Sequence, residues 1–418
     1  MSRTDHLSAS VELHGRSYRL PHQPTVIVCV DGFDPEYLEK GCIDGILPNL
    51  SSFVKSGFHA TAKCAMPSLT NPNNVSIITG APTSVHGIAG NFYLDRMTGE
   101  EHMVLDDTLL RGSTILELMS NSGVRVAAIT AKDKLRKILN HGLSPLKGAI
   151  CFSAQAAKSC TQAEHGITEV EKWLGRSAPA QYSGDLSIFV LDAGLKLLQE
   201  DRADLFYLTL SDFIQHKYPP GSLESNEFLQ ELDSRLGNFV QSGAIVAVTG
   251  DHGMSDKSNE DGSPNILFLE SELISRWPGS GARVICPISD PFVRHHGALG
   301  SFVRVHITGE VEDVGGMVKF CDSLPQVEAA YTGEKAAALF EMPVDREGDL
   351  VVISKKNAVI GSRKDEHDLS QLQGFRLRSH GGLSEQDIPL IRSTPLSNSG
   401  RDAGHVWRNF DVFDVALN

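Results

Sequence analysis

The run TVIVCVDGFDP at residues 25–35 holds six apolar or β-branched residues that stop at Asp31-Gly32. An unbroken apolar run, rather than an alternating one, is what a strand covered on both faces needs. ADLFYLTLS (203–211) and AIVAVTG (244–250) have the same form, and they lead into Asp212 and into Asp251-His252. VRVAAITAK (124–132) is a fourth such strand.

Helical patterns fall between them: PNLSSFVKSG (48–57), TNPNNVSIITG (70–80), GSTILELMSNSG (112–123), DKLRKILN (133–140), SIFVLDAGLKLLQED (187–201) and EFLQELDSRLGNFVQSG (227–243). Strand and helix alternate, which predicts an α/β fold with a mostly parallel sheet flanked by helices. VELHGRSYRLP (11–21) and NFYLDRMTGEEHMVLDD (91–107) read as hairpins, and FHATAKCAMPSLT (58–70) as a further strand. From about Ser255 to Phe375 the rhythm changes. SFVRVHITG and DLVVISKKNAVIG read as strands flanking helical VGGMVKFCDSL and EKAAALFEM. We expect a core of residues 1–254 and 376–418, with 255–375 as a smaller inserted α+β cap.

At 418 residues the chain is long enough for a large core plus an insertion. Its 38 basic and 52 acidic side chains give a net charge of −14, which argues against nucleic acid and anionic membranes as partners. No stretch offers about eighteen consecutive apolar residues, and the N-terminal residues lack the apolar core of a secretory leader. Seven scattered cysteines without a C-x-x-C pair suit a reducing compartment, and a cytoplasmic location is expected. There is no G-x-x-x-x-G-K-[ST] and no G-x-G-x-x-G after the first strand, which excludes P-loop and dinucleotide enzymes.

In open parallel sheets ligands bind beyond the carboxyl ends of the strands, so Asp31, Asp212, Asp251 and His252 should converge. Asp212 and His216 are four residues apart and share one face of a helical turn, and His380 in SHGG could complete their set. Two clusters follow, Asp212/His216/His380 and Asp31/Asp251/His252. Their oxygen and nitrogen donors suit two zinc ions, with manganese or iron as alternatives. Each histidine alone, among sixteen, would read as an ordinary surface or core residue. Thr70, before Asn71-Pro72, reads as a helix cap, and beside a bound metal it reads equally as a nucleophile.

VDG (30–32), MPSLTNPNN (66–74), TGAPTSVHGIAGN (79–91), SDFIQH (211–216), GDHGM (250–254) and SHGG (379–382) occur in this order. Together they resemble the alkaline phosphatase superfamily, and most closely its phosphonoacetate hydrolase family. The resemblance implies one zinc on Asp212, His216 and His380, and a second on Asp31, Asp251, His252 and the nucleophile Thr70. It implies further that Asn91 binds a phosphoryl oxygen and that Lys132 and Lys134 hold a substrate carboxylate. Arg294 and His295 are added here as candidate contacts from the cap, against a solvated loop as the other reading. The implied activity is hydrolysis of the carbon–phosphorus bond of phosphonoacetate, a small anion, to acetate and phosphate. The alternatives are a nucleotide pyrophosphatase/phosphodiesterase or other phosphate-ester hydrolase on the same core, and a binding protein that has lost turnover.

Overall fold

Seven strands form the central sheet in the spatial order Phe58–Lys63, Asp387–Arg392, Ile245–Gly250, Thr25–Val30, Leu205–Thr209, Val126–Thr130, Ile150–Ser153. The last five pair in parallel, and the first two add antiparallel at one edge. The computed structural model describes residues 9–290, 294–372, 374–396 and 404–418, so the first eight residues of the stretch read for a leader lie outside them.

The expected α/β sandwich is present, and the apolar runs show why. Along Thr25–Val30, Val26, Val28 and Val30 enter one hydrophobic core while Ile27 and Cys29 enter the other. Side chains of a strand alternate between faces, so a strand with helices on both sides must be apolar at every position. Helices Pro35–Ile43, Pro48–Ser56, Asp185–Gln199 and Leu223–Gln241 cover the first face. Thr70–Thr79, Ile115–Asn121, Asp133–Leu139 and the C-terminal Val412–Leu417 cover the second.

One local expectation needs correction, and two further strands complete the sheet. The strand expected over 58–70 ends at Lys63, because the chain bends through Met66-Pro67 before entering the helix at Thr70. The strand Ile150–Ser153 was not foreseen; it is four residues long and edges the sheet. The segment after SHGG returns as Asp387–Arg392, between Phe58–Lys63 and Ile245–Gly250.

Within 255–375 a second sheet runs antiparallel in the order Ala282–Ile285, Phe302–Ile307, Leu350–Ser354, Val327–Thr332. Helices Val314–Asp322 and Gly333–Phe340 accompany it, close to the expected bounds. Its core of Val303, Val305, Leu350 and Val352 also takes in Leu69, the residue before Thr70. The second sheet therefore packs against the turn that presents the candidate nucleophile.

Lys257 and Glu385 seal this junction. Both are fully buried, 2.8 Å apart, and Lys257 Nζ also donates to Lys356 O at 2.8 Å. Glu385 accepts in turn from the Gly382 amide, and its carbonyl accepts from the Gly253 amide. The pair thus ties the two loops that carry His252 and His380. Removing one partner strands a buried charge, so Lys257→Ala should lower unfolding free energy by about 3–5 kcal/mol. Denaturant unfolding would read this, and an unchanged midpoint would contradict it.

Candidate active site

Parallel register sets the starting positions. Gly250 lies opposite Val30, and Cys29 and Thr130 both lie opposite Thr209, so these strands end level with one another. Asp31 and Asp251 emerge directly beyond two of the ends, with Asp212 and Lys132 a few residues past the other two. All three carboxylates are almost completely buried. Asp212 sits at the start of the single helical turn Phe213–Lys217, and this brings His216 Nε2 to 2.9 Å from Asp212 Oδ2.

Thr70 opens the helix Thr70–Thr79 but does not cap it. The cap position is Leu69, which has no side chain to offer, and the Thr70 hydroxyl lies 3.4 Å from His252 Nε2. The hydroxyl is therefore free of helix capping and turned to the carboxylate–imidazole cluster.

His216, His252 and His380 share one arrangement. Each turns Nδ1 to a main-chain carbonyl 2.8 Å away, of Arg378, Gly253 and Ser68 respectively. A carbonyl can only accept, so Nδ1 carries the proton and Nε2 points a lone pair inward when the ring is neutral. Those lone pairs meet carboxylates: His216 faces Asp212, and His252 Nε2 lies 3.1 Å from Asp31 Oδ1, an oxygen with no hydrogen-bond partner. His380 Nε2 is 4.0 Å from Asp212 Oδ2, and its ring stacks on His252 with centroids 3.5 Å apart. Lone pairs opposed at these distances call for a cation or an extra proton between them. Carboxylate oxygens with imidazole nitrogens, and no thiolate, form a donor set that fits divalent metal ions.

Ligand atoms of Asp31, Asp251 and His252 lie within 4.8 Å of one another, as do those of Asp212, His252 and His380. Asp31, Asp251 and His252 thus lie together as the sequence reading grouped them, whereas the group around Asp212 and His380 takes His252 in place of the expected His216. His216 forms a further such group with His295 and His296.

Burial, with Asp31 alongside, pushes the Asp251 carboxyl well up. Burial alone would lower His252, but Asp251 and Asp31 outweigh it and raise it to about 9. Asp212 is also buried, yet Lys132 and His216 hold its carboxyl well below the ordinary range. His380 is pushed down by burial and by its neighbours His252 and His216.

Lys132 Nζ donates to Asp212 Oδ1 at 3.0 Å, and Lys134 pairs with Asp290. Lys132 occupies the N-cap position of the helix Asp133–Leu139 and Lys134 stands in its first turn, because the strand ends at Thr130 and Asp133 starts the helix at once. Both still line the inner pocket, together with Thr70, Asn91 and Asp290. Asn91 accepts at Oδ1 from the Asn71 amide, which leaves its NH2 as a donor. Arg294 is exposed and His295 stacks edge-on to His216, and neither lines this pocket; the neighbouring His296 does.

The inner pocket measures about 20 Å³, room for about one water. It adjoins an outer cavity of about 240 Å³ that shares Lys132, Lys134 and Asp290 and adds Lys137. Among the described residues, neither lining contains an aromatic ring apart from the imidazoles of the inner pocket.

Sequence reading missed Asn74, Asp290 and His296. Asn74 donates from Nδ2 to Asp251 Oδ2 at 3.1 Å and accepts at Oδ1 from Tyr207, so it orients that carboxylate. A clue existed, since Asn74 stands one helical turn after Thr70 inside MPSLTNPNN. Asp290 carried none, because its partner lies 156 residues away.

The metal-free chain should lose stability as pH rises. His252 binds its proton more tightly folded, at about 9, than unfolded, at 6.5. Its contribution is full below 6.5 and drains toward 9. Asp251, also raised, acts in the same sense from the carboxylate range upward. Thermal unfolding in chelator should show a midpoint falling across this window, and a rising midpoint would refute the assignment.

Residues 25–382 match the type I phosphodiesterase / nucleotide pyrophosphatase family. An uncharacterized pyrophosphatase/phosphodiesterase of Schizosaccharomyces pombe is 25% identical over 297 residues, 65% of this chain and 54% of that protein. A phosphonoacetate hydrolase of Penicillium oxalicum is 56% identical over 41 residues, 9% of this chain and 57% of that protein. The chain thus spans a little over half the length of these two curated relatives. Crystal structures of a phosphonoacetate hydrolase from Sinorhizobium meliloti 1021, one with phosphonoformate and one with phosphonoacetate, are 42% identical and superpose with a TM-score of 0.93 over 98% of each chain. On this agreement of sequence, fold and full-length likeness, the chain belongs to the type I phosphodiesterase / nucleotide pyrophosphatase family, alongside the phosphonoacetate hydrolases.

Proposed function

We propose that this chain hydrolyses the carbon–phosphorus bond of phosphonoacetate to acetate and phosphate, with Thr70 as nucleophile. The observation that carries this reading is the pair Lys132 and Lys134 on the pocket that also holds Thr70 and the buried carboxylates, in a chain 42% identical to an enzyme crystallised with phosphonoacetate. A nucleotide would want a surface on which to stack its base. Among the described residues the walls of both cavities offer no aromatic ring other than imidazole, and their lysines support a compact anion.

Two zinc ions, one held by Asp212, His216 and His380 and one by Asp31, Asp251, His252 and Thr70, would supply Lewis acidity and lower the threonine's proton affinity. Manganese or iron would suit the same donors. Thr70 Oγ forms a bond to phosphorus as the phosphorus–carbon bond breaks. The first-turn amides and the Asn91 NH2 favour the phosphoryl oxygens. The departing electron pair moves onto the α-carbon and into the carboxylate as an enolate, which takes a proton to become acetate. Cations at that carboxylate stabilise this charge more in the transition state than in the substrate. Lys132 and Lys134 are the cations, and binding requires substrate to compete with Asp212 and Asp290 for them. Water then hydrolyses the phosphothreonyl group. In this reading 255–375 acts as a cap, supplying Ile288, Asp290 and His296 to the pocket wall, and the core spans 1–254 and 376–418.

Phosphate release from phosphonoacetate, from other phosphonates and from aryl phosphate esters tests the assignment, and a nucleotide diester turned over best would overturn it. Metal analysis of the active enzyme should find two ions per chain, and chelation should abolish turnover; one ion per active chain would contradict this. Thr70→Ala should still bind metal but lose turnover by several orders of magnitude. Lys132→Ala and Lys134→Ala should each cost on the order of 3 kcal/mol in transition-state stabilisation for phosphonoacetate, reading in kcat as well as KM, and far less for an aryl phosphate. Equal losses on both substrates would refute the carboxylate role.

A further inference from the structure

Asn74 stands one helical turn after Thr70 and is completely buried. Its NH2 has two hydrogens and uses both at the site. Nδ2 donates to the Thr70 carbonyl at 3.0 Å and to Asp251 Oδ2 at 3.1 Å. A single amide therefore joins the main chain of the candidate nucleophile to a candidate ligand of the second ion. Asp251 Oδ1 accepts from the amides of Gly32 at 3.2 Å and His252 at 3.0 Å. Three N–H donors thus fill all but one of the carboxylate's roughly four lone-pair directions, and they decide where the remaining one points.

The oxygen end of the amide accepts from the Tyr207 hydroxyl at 2.8 Å. Tyr207 lies on the strand Leu205–Thr209, fully buried, and its ring packs against Phe413 of the C-terminal helix with centroids 6.0 Å apart. Neither Tyr207 nor Asn74 lines the pocket that Thr70, Lys132 and Lys134 share, so the hydroxyl acts through the amide. Without that hydroxyl, Asn74 Oδ1 would be a buried acceptor left unmet, and the amide could seek another donor only by turning away from Asp251 or from Thr70.

We propose, on the reading above in which Thr70 attacks and Asp251 binds the second ion, that Tyr207 is a positioning residue. It holds the Asn74 amide so that Asp251 and Thr70 keep one mutual placement around that ion. Groups that orient a metal ligand from behind are worth about 10–100-fold in metal affinity or activity.

The test compares Tyr207→Phe, which keeps the ring against Phe413, with Asn74→Ala and with the double variant. Zinc affinity is read by competition with a chromophoric chelator, and turnover by phosphate release from phosphonoacetate at saturating zinc. Tyr207→Phe should weaken one of the two ions about 10–100-fold and leave the other unchanged. Its kcat should fall about tenfold with KM unchanged, since Tyr207 lines no part of the pocket. Asn74→Ala should show the same pattern, and the double variant should be no worse than Asn74→Ala alone, because the hydroxyl has no second route to the site. A hydroxyl that only supports the fold would weaken both ions alike, or would add its loss to that of Asn74→Ala. Either result, or an unchanged zinc affinity in Tyr207→Phe, would overturn the proposal. If the wild type bound two ions but released no phosphate, the catalytic reading would fall, and the affinity comparisons would still decide the role of Tyr207.

Discussion

Two carboxylates meet in the dry end of this sheet because two parallel strands pair in register. Gly250 opposite Val30 puts Asp251 and Asp31 next to each other at full burial. Neighbouring buried carboxylates cannot both stay ionised without a compensating charge. The protein meets this by facing His252 Nε2 toward them, as His216 and His380 face Asp212, with Nδ1 of each ring committed to the main chain. The result is a cluster that must hold either protons or cations, and Thr70, Asn74 and Lys132 are disposed around it.

The second sheet acts on the same cluster indirectly. Leu69 is buried in that sheet's core, which sets the start of the Thr70 helix, and Lys257 with Glu385 fixes the loops bearing His252 and His380. Ile288, Asp290 and His296 then narrow the pocket to about 20 Å³. Asp290 keeps Lys134 in place, and Asp212 does the same for Lys132, so both cations are oriented beside the space a small anion would enter. A buried lysine held by a carboxylate keeps its charge where an unpaired one would tend to lose it.

Much of this was legible from residue order. The apolar run 25–30 announced a two-sided strand, and Asp31, Asp212, Asp251 and His252 stood at strand ends where ligands bind in open sheets. The four-residue spacing of Asp212 and His216 put both on one helical turn, as the 2.9 Å contact bears out. Local signals were weaker where strands are short or paired from afar. Ile150–Ser153 has too few residues to display a period, and Phe58–Lys63 is a strand only by virtue of Asp387–Arg392 beside it.

By itself the sequence determined the α/β alternation, the strand-end carboxylates, the i, i+4 ligand pair and the order of motifs shared with a known superfamily, since all of these depend on periodicity and near-neighbour spacing. Only the tertiary structure decided that Thr70 faces His252 instead of capping its helix, that Asn74 orients Asp251, and that Asp290 pairs with Lys134 while Arg294 stays outside the pocket. Those outcomes depend on which side chains long-range packing brings together, and contacts between residues far apart in the chain leave no local period to read.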